Sequence, residues 1–562
     1  MIPNLTITSE QINDMPLLVG IMEDMGIREM IDAEVIQHGA WQGVSVGTLI
    51  VIWLCYILTE QDHRMVMVRD WVNARRQTFN SLLGIELRDT DCTDDRLANA
   101  LSMLGELETQ MKLDQTLMRH WISIYQLPTE TIRLDSTSVS VYQKAGKEDS
   151  LLQYGHSKDH RPDLAQFKIM MSTLDPLGIP LSCQVVGGQR ADDGLYIPAY
   201  DSAIEALGTS AVLVVGDSKM AALGTRGHIV AQGSHYLSAY RPPHATAQIS
   251  RWIENALENA ENWQIVEQVD EKTGEIQQIA VIDEWEREQS WMDEQTGQTW
   301  GWTERVLLAR STAMQTGLSG KREKKLQRAI DRLENLRLPP GRGRKCYRSQ
   351  SELADKAAQI VEAGGFTDIL QVELVEESLA NGTSRWIVSS YHINEPVWQA
   401  MTERLGWQVY VTNTSPAQLE APAVLWTYRH QFSIEHGFSR LKTRRLNIRP
   451  LYIKDEQRIV GLTWLLCLAL RVLTLTEYRL RIALEQRDEE LLGLNPASRT
   501  QSTQCPTTER VLQAFQNITL SVVDLNGHIQ HHVSPLNDTQ KHVISLLLLP
   551  GDLYSRLVSQ PP

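Results

Sequence analysis

Three carboxylates stand out because of the segments in which they lie. Asp135 ends the alternating segment Thr131–Asp135, which predicts a half-buried strand, and Asp217 follows the unbroken apolar run Ala211–Gly216, which predicts a strand buried on both faces. In α/β folds, the carboxyl ends of buried strands carry ligand-binding and catalytic groups. Glu435 lies much later, in a segment with helical spacing. An isolated aspartate at a strand end is often only a turn former, so the three carboxylates together indicate a functional site more strongly than any one of them.

Converging carboxylates of this kind suit Mg²⁺, which takes oxygen ligands in near-octahedral geometry and usually keeps waters and substrate phosphates in its shell. Two such ions about 3.5 to 4 Å apart stabilise the attacking and the leaving oxygen of an in-line phosphoryl displacement. We therefore expect Asp135, Asp217 and Glu435 to be the catalytic residues and the metal ligands. The expected cofactor is two Mg²⁺ ions, which Mn²⁺ can replace.

The segment around Glu435 predicts one helix from Tyr428 to Lys442. At about 100° per residue, Tyr428, Gln431, Glu435 and Lys442 fall within roughly 60° of one another. Lys442 can hold a phosphate on this face and Tyr428 can hydrogen-bond one. An ordinary amphipathic helix with a solvated charged face has the same spacing. The residues that we expect to contact DNA here are Tyr428, Gln431, Arg440, Lys442, Arg444 and Arg445.

The composition is that of an ordinary globular protein with several domains, with 562 residues, 42% hydrophobic and 22% charged. Two apolar runs, residues 46–58 and 461–475, are respectively too short to span a bilayer and interrupted by Arg471, so both predict buried helices. The six cysteines have no paired short spacing and predict neither a zinc site nor a disulfide framework. This usage fits a reducing cytoplasm, and no secretory signal is evident at the N-terminus.

The net charge of −15 argues against a nucleic-acid partner for the chain as a whole. The charge is segregated, however: residues 254–294 are strongly acidic, whereas residues 321–348 and 428–449 are strongly basic. Each basic segment can bind phosphate locally. A solvated basic helix is the alternative for the first of them.

Changes in periodicity predict five regions. Their contents are a helical N-terminal domain for DNA binding or assembly, the first part of an α/β core, a β-rich insertion followed by a basic helix, the second part of the core with the Glu435 helix, and a linker with a small C-terminal appendage. The corresponding residues are 1–125, 126–245, 246–400, 401–485 and 486–562. The insertion is rich in tryptophan, and core packing is the default role for these side chains.

The three carboxylates resemble the Asp-Asp-Glu triad of DDE transposases. The segment from Tyr428 to Lys442 resembles the Y-R-E-K signature of one large group of bacterial insertion-sequence transposases, and the spacing fits throughout. Gln431 stands where that signature has arginine. The polar segment Tyr154–Asp163 is similar to a stretch that follows the first aspartate in one branch of this group. The resemblance covers roughly residues 1 to 480.

The resemblance implies an α/β fold with an RNase H-like mixed-sheet core. It implies Mg²⁺-dependent cleavage at insertion-sequence ends and strand transfer into target DNA. The implied partners are the double-stranded terminal inverted repeats and target DNA, with no membrane, and a homodimer in the DNA complex. The implied location is the bacterial cytoplasm, with nucleoid association when DNA is bound. The insertion is expected to contribute DNA contacts and a tryptophan that stacks on a flipped base.

Two other functions fit the same sequence. A catalytically inactive or domesticated derivative that binds DNA or a protein as a regulator would explain the net charge and Gln431. A host nuclease on the same core would cut DNA without joining strands.

Overall fold

The computed structural model describes residues 5–37, 39–270, 274–339, 345–379, 382–443, 445–495, 498, 500–526 and 528–559. Arg444 lies outside these residues. The chain forms two units. One contains residues 1–237, 290–300 and 426–562, and the other contains residues 238–289 and 301–425.

Helices follow a short strand in the N-terminal region. Ser45 caps the start of α3 by accepting a hydrogen bond from the backbone N–H of Thr48 at 3.2 Å. The apolar run 46–58 is buried within α3, so it is a core helix. The elements are β1 (Leu5–Gln11), α1 (Met15–Asp24), α2 (Ile27–Glu34), α3 (Val46–Glu60), α4 (Met65–Asn73), α5 (Arg76–Leu83), α6 (Asp94–Leu104) and α7 (Leu107–Tyr125).

A mixed sheet follows these helices. Its elements are β2 (Thr131–Val141), β3 (Ala165–Leu174), β4 (Ile179–Gly187), α8 (Tyr196–Leu207), β5 (Leu213–Gly216), α9 (Leu223–Ala231) and β6 (His235–Ala239). The strand order is β4-β3-β2-β5-β6, with β2, β3 and β4 antiparallel and β5 parallel to β2. The predicted α/β fold with a mixed-sheet core is confirmed.

One detail of this region corrects the sequence prediction. The first strand does not end at Asp135, because its pairing with β3 continues to Val141. After β5, the helix α9 begins at Leu223. Residues before it form a turn in which the Asp217 side chain accepts from the backbone N–H of Lys219 at 2.8 Å. Such a local side-chain bond competes with helix formation.

The second unit contains strands in the order β12-β9-β8-β7 and a hairpin of β10 with β11. Several tryptophans pack in aromatic clusters, such as Trp252 with Trp285 at 5.2 Å and Trp263 with Trp407 at 5.7 Å between ring centroids. The basic segment forms much of α11, in the place where the sequence predicts a basic helix. The elements are α10 (Thr246–Glu258), β7 (Gln264–Val269), β8 (Ile276–Met292), β9 (Thr299–Ser311), α11 (Thr312–Asn335), α12 (Gln350–Gly364), β10 (Leu370–Ser378), β11 (Ser384–Ile393), α13 (Glu395–Glu403) and β12 (Trp407–Thr412).

The C-terminal part returns the chain to the first unit. Its elements are α14 (Ala421–Arg429), α15 (Phe432–Thr443), α16 (Glu456–Arg487), β13 (Leu491–Leu492), β14 (Ser502–Thr503), α17 (Thr508–Ala514), β15 (Thr519–Leu525), β16 (His528–Val533), α18 (Asp538–Leu546) and α19 (Arg556–Ser559). The strand β15 pairs antiparallel with β1 along its whole length, from Leu5 opposite Leu525 to Gln11 opposite Thr519. The appendage therefore completes a three-stranded sheet with the N-terminus.

Among the described residues, α16 is the helix whose length and apolar composition would suffice to cross a membrane. Its most apolar window is 94% buried inside the protein, in agreement with the predicted buried helix. Arg471, in the middle of α16, forms a 2.7 Å ion pair with Asp114 of α7 and donates to the carbonyl oxygens of Pro180 and Leu181 at 2.8 Å. These bonds fix α16 against β4 and satisfy a charge that the apolar interior would otherwise exclude.

Candidate active site

Asp135 and Asp217 lie side by side on neighbouring strands. The parallel pairing of β2 with β5 ends at Leu134 opposite Gly216, and the two aspartates are the next residues on each strand. Neighbouring strands lie about 4.8 Å apart. Both carboxylates therefore emerge at the point where β5 ends, although β2 continues beyond it.

The electrostatics agree with this proximity. The pKa of Asp135 is raised to about 6, chiefly by burial; the ammonium of Lys158 opposes this rise, and the negative charge of Asp217 adds to it. Burial disfavours a lone carboxylate, and a like charge nearby disfavours it again. A cation bound beside Asp135 and Asp217 would therefore lower the free energy of the two charged carboxylates.

Asp217 is held by two donors. The Tyr196 hydroxyl donates to Oδ1 at 2.6 Å, and the Lys219 backbone N–H donates to the same atom at 2.8 Å. Burial and the charge of Asp217 raise the pKa of Tyr196 well above its usual value, so the hydroxyl keeps its proton and remains a donor. The orientation of Asp217 is therefore fixed by α8 as well as by its own turn.

Lys158 supplies the nearest positive charge to Asp135. Its Nζ lies 3.5 Å from Asp135 Oδ1 and 3.8 Å from Asp192 Oδ2, and it donates to the Ser136 carbonyl oxygen at 2.6 Å. Asp192 also binds Lys168 Nζ at 2.6 Å. Burial acts to raise the pKa of Asp192, but the hydrogen bond from Lys168 and the charges of both lysines lower it overall.

The predicted helix from Tyr428 to Lys442 is wrong in one respect, because it is broken. The helix α14 ends at Arg429 and α15 begins at Phe432, so Tyr428 and Gln431 are not on the continuous helix that carries Glu435. The sequence predicts that all four signature positions share one helix face, but only Glu435 and Lys442 lie on the same helix.

Arg133 organises this break from the sheet side. Its Nε and Nη2 bind the two carboxylate oxygens of Asp175 at 2.6 and 3.0 Å. Its Nη1 donates to the Tyr428 carbonyl oxygen at 3.5 Å, and its Nη2 also donates to that of Thr427. The last carbonyls of a helix lack intrahelical donors, and Arg133 satisfies two of them for α14.

The helix α15 runs alongside β2. Lys442 Nζ donates to Thr137 Oγ1 at 3.1 Å, while the segment before α15 contacts Arg133. Asp135 is midway between Arg133 and Thr137 along β2, and its side chain shares a face with that of Thr137. Glu435 and Lys442 are two helical turns apart and share a face of α15 to within about 20°. The structure thus brings the Glu435 turn to the level of Asp135.

The third carboxylate is nevertheless not joined to the other two. Glu435 is exposed at the first turn of α15. Within the described ranges, no three His, Cys, Asp or Glu side chains lie close enough together to hold a metal ion. The donor set that the structure brings together is therefore Asp135 with Asp217. Two adjacent carboxylates, one with a raised pKa, fit a divalent cation with oxygen preference.

Two arginines predicted to bind DNA are instead structural. Arg440 is 2% exposed, and its guanidinium binds Glu509 at 2.7 Å and Glu477 at 2.6 Å. Arg445 is also buried and donates to the carbonyl oxygens of Leu58 and Glu509. Both guanidiniums are used to join α15 and the following loop to other helices, so this prediction is corrected. Arg444 lies outside the described residues.

Sequence reasoning missed several residues of the site. Lys158, Asp192 and Tyr196 lie around the carboxylate pair. Asp159 pairs with Lys442 and with Arg449. The polar segment Tyr154–Asp163 contains Lys158 and Asp159 and is conspicuous in the sequence. The sequence of this segment does not indicate which residues Lys158 and Asp159 contact, because those residues lie on β2, on α15 and in the loop after α15.

Comparison with known proteins gives two family matches. The model of the transposase DDE domain matches residues 127–472, more than half of the chain. A domain of unknown function, DUF4277, matches residues 7–116. No curated protein matches the chain. A cryo-EM structure of a piggyBac transposase synaptic complex with hairpin DNA shares 8% identity, with a TM-score of 0.33, over 89% of this chain and 79% of that one.

Proposed function

The chain belongs to the transposase DDE domain family, and on that premise we propose that it cleaves DNA at the ends of an insertion sequence and joins the freed ends to target DNA. The observation that carries the proposal is the adjacency of Asp135 and Asp217 where β5 ends. Glu435, at the level of Asp135 on α15, is the proposed third member of the catalytic set.

The proposed cofactor is two Mg²⁺ ions, with Mn²⁺ as a substitute. Asp135 and Asp217 would hold them first, and Glu435 would complete the site when α15 or its side chain closes on bound DNA. Bound divalent ions supply charge stabilisation for the entering and leaving oxygens of an in-line displacement. Mg²⁺ keeps substrate phosphates among its ligands, so a metal site that is complete only when DNA is bound is consistent with Mg²⁺ chemistry.

The reaction has two displacements. In the first, a water oxygen bonds to the phosphorus at the element end, and the bond from phosphorus to the 3′ oxygen breaks, which leaves a 3′-hydroxyl. In the second, that 3′-hydroxyl attacks a target phosphate and displaces a target 3′ oxygen. Lys442 is proposed to hold a DNA phosphate, since its ammonium already faces β2 near Asp135.

Double-stranded DNA is the proposed partner, as terminal repeats and as target. The exposed basic residues of α11, including Lys321, Lys324, Lys325 and Arg328, offer a second phosphate-binding surface in the other unit. A homodimer in the DNA complex and a location in the bacterial cytoplasm, on the nucleoid when DNA is bound, complete the proposal. Light scattering with and without end DNA tests the dimer.

A cleavage assay on DNA that carries the element's own terminal repeats tests the function. Asp135→Ala and Asp217→Ala should each abolish cleavage, whereas Asp538→Asn, which removes a fully exposed aspartate, should leave it unchanged. Unchanged cleavage in either of the first two variants would disprove the assignment. DNA binding without cleavage in the unaltered protein would favour the inactive regulatory derivative. Cleavage without strand joining would favour a host nuclease.

A further inference from the structure

A tight turn docks onto the part of β2 that lies beyond Asp135. The backbone N–H of His160 donates to the Ser157 carbonyl oxygen at 3.2 Å, and the Ser157 hydroxyl accepts from the backbone N–H of Arg161 at 3.2 Å. The Lys158 backbone N–H donates to Ser138 Oγ of β2 at 2.8 Å. His160 has a φ of 57°, a left-handed conformation that closes the turn. We call residues 157–160 the latch turn.

The latch turn presents two side chains of opposite charge. Lys158 points its ammonium toward Asp135 and Asp192. Asp159 lies between two cations, with Oδ1 2.5 Å from Lys442 Nζ and Oδ2 3.4 Å from Arg449 Nη1. The Asp159 side chain is 16% exposed and that of Lys442 is 12% exposed, so the contact is largely shielded from water.

The contacts of Asp159 are those that a DNA phosphate would make. A carboxylate and a phosphodiester each carry one negative charge on two oxygens and accept charge-assisted hydrogen bonds from lysine and arginine. Lys442 also donates to Thr137 Oγ1, so its ammonium is already aimed at β2. Arg449 follows α15 by six residues and is a third exposed, which leaves it reachable from solvent.

We propose that Lys442 and Arg449, with Thr137, form a binding site for one DNA backbone phosphate, and that Asp159 occupies this site until DNA displaces the latch turn. The inference rests on the proposed function and adds to it a second cation, Arg449, and an internal competitor. Asp159 keeps the two cations paired in the DNA-free protein. Binding of DNA exchanges that pairing for a phosphate and returns the Asp159 carboxylate to water.

The same exchange moves Lys158. The two side chains are adjacent in the latch turn, so a displacement that frees Asp159 also withdraws the ammonium from Asp135. The metal-binding carboxylates would then lose their internal counter-charge at the moment when DNA arrives. In this way the latch turn couples the binding of a DNA phosphate to the binding of metal ions by the carboxylate pair.

The test compares two variants that remove the same charge from the same segment. Asp159→Asn removes the competitor, and Asp163→Asn removes an exposed aspartate that pairs with Arg161 of its own segment, at 2.7 Å. Binding to a duplex that carries the terminal repeat is measured with EDTA present, over a range of salt concentrations. We expect Asp159→Asn to bind about tenfold more tightly than Asp163→Asn, a difference of about 1.4 kcal/mol.

A double variant tests whether the gain in affinity arises through Arg449. If Asp159 masks Arg449, the gain from Asp159→Asn should fall when Arg449→Gln is added, and the two effects should not be additive. The inference is overturned if Asp159→Asn binds no more tightly than Asp163→Asn, or if its gain persists in full with Arg449→Gln. Weaker binding by Asp159→Asn would show that the aspartate only positions Lys442.

This outcome is separate from that of the proposed function. The binding measurement excludes divalent ions and reads affinity alone, whereas the function is read by cleavage in Asp135→Ala and Asp217→Ala. Tighter binding by Asp159→Asn in a protein that does not cleave DNA would support the proposed phosphate site and contradict the proposed transposase function. DNA cleavage together with no gain in DNA affinity from Asp159→Asn would support the transposase function and contradict the proposed role of the latch turn.

Discussion

Arg133 and Asp175 form a buried ion pair in which both carboxylate oxygens accept from the guanidinium, at 2.6 and 3.0 Å. Arg133 lies two residues before Asp135, and the same guanidinium binds the end of α14. The pair therefore links the strand that carries one proposed catalytic residue to the helix break that precedes another.

Loss of this link should destabilise the protein. Arg133→Met leaves Asp175 buried without its partner, which typically costs about 3 to 5 kcal/mol. Urea denaturation of the first unit's transition measures the change. Arg161→Met is the matched control, because its pair with Asp163 is exposed and screened by solvent, so its loss should change the stability little. Equal effects from the two variants would contradict a structural role for Arg133.

Asp14 should give the stability a distinct pH dependence. Burial raises its pKa to about 6, against a hydrogen bond from Thr59 and the charge of Arg445, which lower it. Well below pH 4 the side chain is protonated in both the folded and unfolded states, so folding buries no charge at this position. As the pH rises toward 6, the unfolded state releases its proton first and stability falls, and above pH 6 the full cost persists.

The variant Asp14→Asn removes this effect and keeps an acceptor for Thr59. The difference in unfolding free energy between the variant and the unaltered protein should be near its minimum at pH 4 and larger at pH 7, by on the order of 3 kcal/mol in favour of the variant. Chemical denaturation at a series of pH values measures it. A difference that does not change with pH would show that Asp14 has no raised pKa.

Lys158 should compete with divalent ions for the carboxylate pair. Its Nζ lies 3.5 Å from Asp135 Oδ1, so Lys158→Met removes a positive charge from the place where a cation would bind. We expect the variant to be stabilised thermally by lower Mn²⁺ concentrations than the unaltered protein at pH 8, because ligand binding to the folded state raises its stability. Lys219→Met, which removes a lysine paired with the exposed Asp193, is the control. An unchanged Mn²⁺ midpoint in Lys158→Met would refute the competition.

The same glycine substitution should have opposite effects in two helices. A Cβ at Gly461 in α16 would lie 2.0 Å from the Leu101 carbonyl oxygen of α6, so Gly461→Ala forces two helix backbones apart and should lower stability by at least about 1 to 3 kcal/mol. A Cβ at Gly320 in α11 meets nothing within 4 Å. Gly320→Ala should therefore stabilise its own unit by up to about 1 kcal/mol, the usual helix preference for alanine. Thermal unfolding measures both, and a stabilising Gly461→Ala would contradict the close approach.

The parts of the site that the sequence predicted depend on local patterns. The alternating segment before Asp135 and the valine-rich run before Asp217 specify strands through side-chain burial, and two such strands that pair in parallel bring their aspartates together. The spacing of Glu435 and Lys442 also fixes their common face, because both lie within one unbroken helix.

The tertiary structure decided what depends on partners far along the chain. Arg440 has the spacing of a solvent-facing cation, yet Glu477 and Glu509 bury it. At the break before α15, the end of α14 is bound by Arg133, which lies on a strand nearly 300 residues earlier. The pairing of β1 with β15 joins the two ends of the chain.

The amino-acid sequence by itself therefore determined the three carboxylates, the strands and helix that carry them, and the family resemblance. Only the tertiary structure decided which charges are buried and paired, and that Lys442 pairs with Asp159. The physical reason is that helical and strand periodicity act over a few residues, whereas the partner of a buried charge is set by packing between distant segments.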